Sequence, residues 1–336
     1  ELQTSLISMY GKCGSAEDAE KVFGKARTRN VGLWNSLMAT YMQVGDARKA
    51  LELYKTMQTK GVFPDNVTFA TILTACSVTT DLPEGKKIHE SIRKAGLQAD
   101  VIIGTSLVNM YAKSANVSNA RAVFDASMKQ EIVLWNVMIM ACAQNDDARG
   151  ALQLFDGLYQ EGLLPDKVTF LNTISEPDNN YVRQGLWMHT RVIASIWNSD
   201  IQVQTALLHM YGKLGSTNDA HKMFDNMFEW DVVCWNAMIS VHVQHGLSDI
   251  ALQHFNRMQE EGMLPNNVTI TTILSSFADG TLLSVGKHIH SQIFGNGMKS
   301  DVFVGNALIS MYSKCGHMKD AHEQFDSMLS RDNITW

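Results

Sequence analysis

The chain has 336 residues, of which 45% are hydrophobic and 18% are charged, and this composition excludes an intrinsically disordered protein. No apolar run reaches the roughly 18 residues that a membrane-spanning helix requires, so we expect no membrane as a partner. The formal net charge of −6 argues mildly against a nucleic-acid partner, although a basic face on an elongated chain would not appear in the sum. The five cysteines include no C-x-x-C pair. We therefore expect reduced structural cysteines, no metal site and no cofactor.

An internal repeat governs the whole chain. Four of the seven tryptophans and four of the eight tyrosines recur at spacings of 100 or 101 residues. A period that several residue types share indicates a repeat architecture. The residues that carry it are Trp34, Trp135, Trp235 and Trp336, and Tyr10, Tyr111, Tyr211 and Tyr312.

Each long period divides into three shorter units of about 35, 35 and 31 residues. We predict a single array over 1–336, and because the chain opens and closes inside a unit, we expect the native termini to lie outside this sequence. The predicted units are 1–30, 31–65, 66–100, 101–131, 132–166, 167–200, 201–231, 232–266, 267–301 and 302–332, with 333–336 beginning another.

Each unit has the pattern of two helices. In 31–65, apolar residues recur at helical spacing over 34–41 and again over 47–57. Gly45 separates the two stretches, and Gly61 and Pro64 end the second. The sequence therefore predicts an all-α fold, an α-α superhelical solenoid of about ten helix-turn-helix repeats. The polar stretch 176–180, which contains a proline, predicts a distorted repeat in 167–200.

The phrases within these units resemble a known family. The first unit of the triplet carries Trp34-Asn35-Ser36-Leu37 and ends in Gly-x-x-Pro-Asp, the second carries Gly85-Lys86-Lys87-Ile88-His89, and the third carries Ala120-Arg121-Ala122-Val123-Phe124. With these lengths, the whole chain resembles the pentatricopeptide repeat family in its plant PLS (long, variant long, short) triplet subclass. The tetratricopeptide signature is not found in the sequence.

The resemblance implies that each unit binds one base of single-stranded RNA. The fifth and last residues of a unit would select the base, because Asp accepts a hydrogen bond from uracil or guanine and Asn donates one to cytosine or adenine. The implied tract is 5′-A-U-n-n-U-n-G-C-n-U-3′, in which Thr105 with Glu131 is ambiguous and the guanine suggested by Thr271 with Asp301 is left open. The other pairs are Thr4 with Asn30, Asn35 with Asp65, Asn136 with Asp166, Thr205 with Asp231, Asn236 with Asn266, and Asn306 with Asp332.

The resemblance also implies contacts outside the base edges. Phosphates would be met by a lysine at the thirteenth place of the short units, and apolar residues at the second place would wedge between bases. The lysines are Lys12, Lys113, Lys213 and Lys314, and the apolar residues are Val133, Val233 and Phe303.

The sequence offers no catalytic constellation. The recurring His89, His189 and His290 are interpreted as packing residues, and no Pro-Cys-x-x-Cys segment of a zinc deaminase is present. This segment is therefore predicted not to be an enzyme. It would guide organellar C-to-U RNA editing, with single-stranded organellar RNA and editing-complex proteins as partners, in a mitochondrion (slightly favoured) or a chloroplast. The alternatives are RNA splicing or stabilisation and, in a different class, a protein-binding α-solenoid scaffold.

Overall fold

A computed structural model of the chain describes residues 2–127, 131–174, 182–277, 283–295 and 301–335. These residues form twenty α-helices and no strand. They belong to two compact units, 1–176 and 177–336. Among the described residues, no helix is long and apolar enough to cross a membrane.

The first compact unit contains eleven helices in its described residues. They are α1 (Leu2–Lys12), α2 (Ala16–Lys25), α3 (Val31–Gln43), α4 (Ala47–Thr59), α5 (Asn66–Thr79), α6 (Leu82–Ala95), α7 (Val101–Lys113), α8 (Val117–Ala126), α9 (Ile132–Gln144), α10 (Ala148–Gln160) and α11 (Lys167–Ile174).

The second compact unit contains nine helices in its described residues. They are α12 (Val182–Ile193), α13 (Ile201–Lys213), α14 (Thr217–Asp225), α15 (Val232–Gln244), α16 (Ser248–Glu260), α17 (Asn267–Ser275), α18 (Leu283–Gly295), α19 (Val302–Lys314) and α20 (Met318–Ser327).

Consecutive helices form hairpins through short turns that the sequence specifies. Between α3 and α4, Gly45 adopts a φ of 83°, a left-handed conformation that costs glycine little. Asp46 then accepts the backbone N–H of Lys49 at 3.1 Å and so caps the start of α4. Gly61, with a φ of 72°, ends α4 before Pro64. Four residues therefore determine where this hairpin turns and where it stops.

The hairpins stack in the same way within each compact unit. In the first unit, α1, α3, α5, α7, α9 and α11 pack in that order, each on the next; in the second, α13, α15, α17 and α19 do the same. Even-numbered helices such as α4 and α16 contact the odd-numbered helix on each side. This arrangement confirms, within each unit, the all-α helix-turn-helix solenoid that the sequence predicts.

The core repeats one aromatic contact between hairpins. Trp34 lies edge-on to Phe23 with the ring centroids 4.8 Å apart, and Trp135 contacts Phe124 in the same way at 4.8 Å. In the second unit Trp235 contacts Phe224 at 4.7 Å. Each tryptophan stands on the first helix of a hairpin and each phenylalanine on the second helix of the preceding one. The periodic tryptophans are therefore core residues, whereas Trp336 lies outside the described residues.

The recurring histidines also pack between helices. Nδ1 of His89 lies 2.8 Å from the hydroxyl oxygen of Tyr111, and Nδ1 of His189 lies 2.6 Å from that of Tyr211. His290 and Tyr312 repeat the contact at 2.7 Å. Burial lowers the pKa of each of these histidines. Their packing interpretation is confirmed, whereas the stretch 176–180, for which the sequence predicts a distortion, lies outside the described residues.

Candidate nucleic-acid interface

The last residue of a predicted unit begins the next hairpin. Asp65 stands immediately before α5, and its Oδ1 accepts the backbone N–H of Thr68 at 2.8 Å. Asp and Asn are favoured at this N-cap position because their short side chains satisfy an N–H that the helix leaves unpaired. The same role falls to Asn30, Asp100, Asp166, Asp200, Asp231, Asn266, Asp301 and Asp332.

Glu131 departs from this pattern. It occupies the same place before α9 but makes no side-chain capping hydrogen bond, because its side chain is one methylene longer than that of aspartate. The ambiguous predicted pair Thr105 with Glu131 therefore also differs in geometry from the others.

The fifth-place asparagines are joined directly to these capping residues. Nδ2 of Asn35 donates to Oδ1 of Asp65 at 2.9 Å, across 30 residues of sequence. The other three predicted Asn pairs have the same contact. Asn136 donates to Asp166 at 3.0 Å, Asn236 to Asn266 at 3.1 Å, and Asn306 to Asp332 at 3.1 Å.

A threonine that the sequence reasoning did not single out fixes the asparagine amide. The hydroxyl of Thr68 donates to Oδ1 of Asn35 at 2.6 Å and accepts the backbone N–H of Asp65 at 3.2 Å. Because an ionised Asp65 only accepts hydrogen bonds, Nδ2 of Asn35 faces it and Oδ1 faces the hydroxyl of Thr68. A detectable signal was the recurrence of Thr three places after each cap that pairs with a fifth-place Asn, the position of a capping box. The equivalent threonines are Thr169, Thr269 and Thr335.

The fifth-place threonines behave differently. The hydroxyl groups of Thr105, Thr205 and Thr271 donate to carbonyl oxygens one turn earlier in their own helices, at 2.9, 2.7 and 2.9 Å. No direct hydrogen bond to the paired last residue is seen for these three, all within the described ranges. The carboxylate of Asp301 instead accepts a hydrogen bond from the side-chain amide of Asn267, and the carboxylate of Asp100 accepts one from the side-chain amide of Asn66. Thr4 lies half-buried in α1.

In each Asn pair, the identity of the capping residue determines which group it presents. Two hydrogen bonds to the Asn266 side chain, from the backbone N–H of Thr269 and from Nδ2 of Asn236, both use Oδ1. They leave the Nδ2 group of Asn266, with its two N–H donors, outside these contacts. At Asp65, the corresponding two bonds, from Thr68 N and Asn35 Nδ2, also use Oδ1, and the remaining atom is an acceptor, Oδ2. Asn266 and Asp65 therefore cap their helices in the same way, but the side-chain group that remains is a hydrogen-bond donor in Asn266 and an acceptor in Asp65.

The electrostatics of Asp65 predict an acid-sensitive contribution to stability. Burial pushes the pKa of Asp65 up, but hydrogen bonds from the Thr68 backbone, Asn35 and the Thr68 hydroxyl together hold it below its ordinary value of 3.8. A carboxyl whose pKa is lower in the folded state stabilises the fold fully above the unfolded pKa and loses that contribution as pH falls through the folded value. In urea titrations at about pH 5 and about pH 3, we expect the wild-type chain to lose more stability than Asp65→Asn. Parallel losses in the two proteins would contradict this role of the carboxylate.

The predicted stacking residues are exposed apolar side chains at the same place of their helices. Val133, Val233 and Phe303 are 54%, 58% and 69% exposed at the second place of α9, α15 and α19. The structure adds four exposed aliphatic residues at the same place that the sequence reasoning did not name, although the second-place rule would have found them: Val67, Ile102, Val168 and Val268.

The predicted phosphate contacts lie at the opposite end of the first helices. Lys12, Lys113, Lys213 and Lys314 are exposed, and each is the last residue of its helix, in α1, α7, α13 and α19. With a rise of about 1.5 Å per residue, such a lysine lies about 12 Å along the helix axis from the fifth residue. The cations are therefore separated from the base-selecting pairs by most of the helix length.

Comparisons with known proteins agree on one family. Models of the PPR repeat family match residues 29–77 and 230–279, and models of the PPR repeat match 4–31, 133–163, 205–232 and 306–333. Two relatives from Arabidopsis thaliana are named as pentatricopeptide repeat-containing proteins, one mitochondrial and one chloroplastic. They are 34% and 33% identical to this chain, and each match covers 99% of this chain. The matched regions make up 49% and 41% of the two relatives' own lengths. The chain thus spans about half or less of these relatives.

A solved structure has the same fold. This is the crystal structure of the pentatricopeptide repeat protein PPR10 in complex with an 18-nt psaJ RNA element. It superposes on this chain with a TM-score of 0.70 and 20% sequence identity, and the match covers 96% of this chain and 48% of the PPR10 chain. The family models together match more than half of the residues. The chain belongs to the pentatricopeptide repeat family.

Proposed function

We propose that this chain binds single-stranded RNA in a sequence-specific manner, with one base for each pair of helices. The observation that carries the proposal is the hydrogen-bonded contact between a fifth-place Asn and the residue that caps the next hairpin. It occurs four times, with distances between 2.9 and 3.1 Å to Oδ1 of the cap. A series of equal contacts suits a polymer that offers one recognition element per repeat. A related solved protein of this fold is described in complex with RNA, which supports the same conclusion.

The capping residue determines the preferred base in this proposal. An aspartate presents an acceptor, which pairs with the N3–H of uracil, whereas Asn266 presents a donor, which pairs with the unprotonated N3 of cytosine. Asn35 with Asp65, Asn136 with Asp166 and Asn306 with Asp332 therefore select uracil. The Thr pairs select purines as the family pattern implies, with guanine at Thr205 and Asp231 and adenine at Thr4 and Asn30. The proposed tract stays 5′-A-U-n-n-U-n-G-C-n-U-3′.

The biological role that we propose for the chain follows from its proposed subclass within the family. We place the chain in the plant PLS subclass, in an array that continues the same repeat over 1–336, and in a mitochondrion or chloroplast, as the names of its relatives support. There it directs C-to-U editing of the bound transcript, together with editing-complex proteins. Splicing or stabilisation of the transcript is the second candidate, because base selection would serve either role equally well. A protein-binding scaffold is the competing class.

Fluorescence anisotropy with labelled single-stranded RNA tests the proposal. We expect the proposed tract to bind at least tenfold more tightly than a scrambled RNA of the same composition, a difference of about 1.4 kcal/mol. Measurements at two salt concentrations separate base contacts from phosphate contacts, since each phosphate contact contributes about 0.7 to the logarithmic salt slope for single strands. Equal affinity for both RNAs would contradict base selection, and absence of binding to either would favour the scaffold.

A further inference from the structure

Three histidines meet in the second compact unit, away from the base-selecting pairs. His221 stands on α14, His242 on α15 and His254 on α16. Each offers one ring nitrogen, and these three atoms lie within 4.8 Å of one another. The rings of His242 and His254 stack with their centroids 5.0 Å apart and their planes at 10°. The centroid of the His221 ring lies 5.2 Å from that of His254. Two successive hairpins thus contribute to one cluster.

Two of these side chains are buried without hydrogen-bond partners. His242 and His254 are each 3% exposed, and all four of their ring nitrogens are buried without a hydrogen bond. Buried polar atoms are normally paired, because an unpaired one has lost its hydration without gaining a partner. In a neutral imidazole one ring nitrogen carries a proton and the other carries a lone pair, so each ring offers one nitrogen to a ligand that accepts lone pairs.

Burial disfavours the charged form of the two buried rings. Burial, followed by the neighbouring His221 and His245, lowers the pKa of His242 to about 4. Burial, followed by His242 and His221, lowers the pKa of His254 to about 4, and Arg257 acts in the same direction while Asp225 opposes it. The neutral form of imidazole is the one that coordinates a metal ion.

The third histidine, His221, is partly exposed to solvent and lies beside a carboxylate. The side chain of His221 is 46% exposed, and its Nε2 lies 3.3 Å from Oδ2 of Asp225. Oδ1 of Asp225 is held by Nη1 of Arg257 at 2.7 Å. A carboxylate on the second ring nitrogen is the usual partner of a metal-bound histidine, and Asp225 is placed to fill that role when His221 coordinates through Nδ1. The exposed edge of His221 gives an ion a path to the buried rings.

Repeat packing does not require this cluster. One period earlier, the places of His221, His242 and His254 hold Arg121, Cys142 and Leu154. Leu154 is buried, so an aliphatic side chain fills the equivalent place in the core. This distinguishes the cluster from His89, His189 and His290, which recur with the repeat. It was invisible in the sequence because its members lie 21 and 12 residues apart, without the close spacing of a metal motif.

We propose that His221, His242 and His254 bind one first-row transition-metal dication, with Zn²⁺ as the ion, and that the ion joins α14, α15 and α16. Three imidazole ligands with an open fourth position on the side of His221 suit Zn²⁺. Tetrahedral Zn–N bonds of about 2.0–2.1 Å place ligand nitrogens about 3.4 Å apart, so the rings approach by up to about 1.4 Å from the 4.8 Å limit. His221 is half-exposed and can move, and the stacked rings of His242 and His254 must also turn so that their lone pairs converge on the ion.

Zinc titration of the complete chain, free of any histidine tag, against a chromophoric chelator tests the proposal. We expect one ion per chain. His254→Leu introduces the residue found at Leu154, so it should fold while losing a ligand. Its dissociation constant for Zn²⁺ should rise by more than about 100-fold, because loss of an outer partner alone costs about 10- to 100-fold. His221→Ala, at the exposed edge, should show the same loss.

The matched control is His288→Ala, which removes an exposed histidine of α18 outside the cluster and should leave zinc affinity unchanged. Thermal denaturation gives a second readout: Zn²⁺ should raise the midpoint of the wild-type chain and of His288→Ala, but not that of His254→Leu. Absence of zinc binding, or equal affinity in wild type and His254→Leu, would overturn the proposal. Neither result depends on RNA binding, so the two proposals stand or fall separately.

Discussion

Replacing Asn266 with aspartate is expected to change the preferred base at its position in the RNA from cytosine to uracil. The exchange keeps the Oδ1 atom that caps α17 and accepts from Asn236. It changes only the outer group, from an N–H donor to an oxygen acceptor of the same size. Folding stability should therefore change little, because Asn and Asp are nearly equivalent at an N-cap. Selectivity should change by on the order of tenfold or more, about 1.4 kcal/mol.

Two matched variants make this test specific. Asp166→Asn, in a pair that also joins a fifth-place Asn to a cap, should produce the reverse change from uracil to cytosine. Asp200→Asn alters a residue that caps α13, but the fifth residue of its unit is Leu171, so base preference should not change. Anisotropy with RNAs that differ at single positions measures all three. If Asn266→Asp weakened binding to every RNA equally, the residue would be a helix cap without a role in base selection.

Replacing Phe124 with alanine is expected to cost about 3–5 kcal/mol of folding free energy, the usual loss for a buried aromatic side chain. Phe124 is 1% exposed, and its ring lies edge-on to Trp135 across the junction of two hairpins. The substitution removes both apolar burial and the aromatic contact. Because each hairpin of a solenoid contacts only its neighbours, amide exchange should rise most in α7 to α10. Urea denaturation combined with hydrogen exchange measures both effects.

Val133→Ala, two residues before Trp135 on the same helix, is the matched control for this experiment. Val133 is exposed, so its truncation should change stability by no more than about 0.5 kcal/mol. It should nevertheless weaken RNA binding if it wedges between bases. A similar stability loss for both variants would contradict the assignment of Phe124 to the core and of Val133 to the binding surface.

Much of the fold could be predicted because the hydrophobic period reports burial directly. Trp34, Trp135 and Trp235 recur with the repeat, and each is buried against a phenylalanine of the preceding hairpin. Glycine and proline likewise mark turns by their backbone preferences alone, as Gly45 and Pro64 do. These signals are local, so a single sequence is sufficient to detect them.

The contacts of the candidate site depend on packing between hairpins, which a local pattern does not report. The pairing of Asn35 with Asp65 was expected from the family, but the hydroxyl of Thr68 that orients the amide was not. The threonine pairs are a sharper case. The hydroxyl of Thr205 bonds to its own helix, because a hydroxyl on a short side chain finds a carbonyl one turn back before it reaches the next hairpin.

The capping contact also has an evolutionary consequence. One residue closes a unit, starts the next helix and presents a hydrogen-bonding group outward. A mutation between aspartate and asparagine therefore exchanges an outer atom while the inner oxygen continues to hold the helix, as the bonds of Asp65 and Asn266 show. Under the proposed base selection, such a protein can follow a drifting transcript one nucleotide at a time through viable single-residue intermediates, without compensating changes in its core.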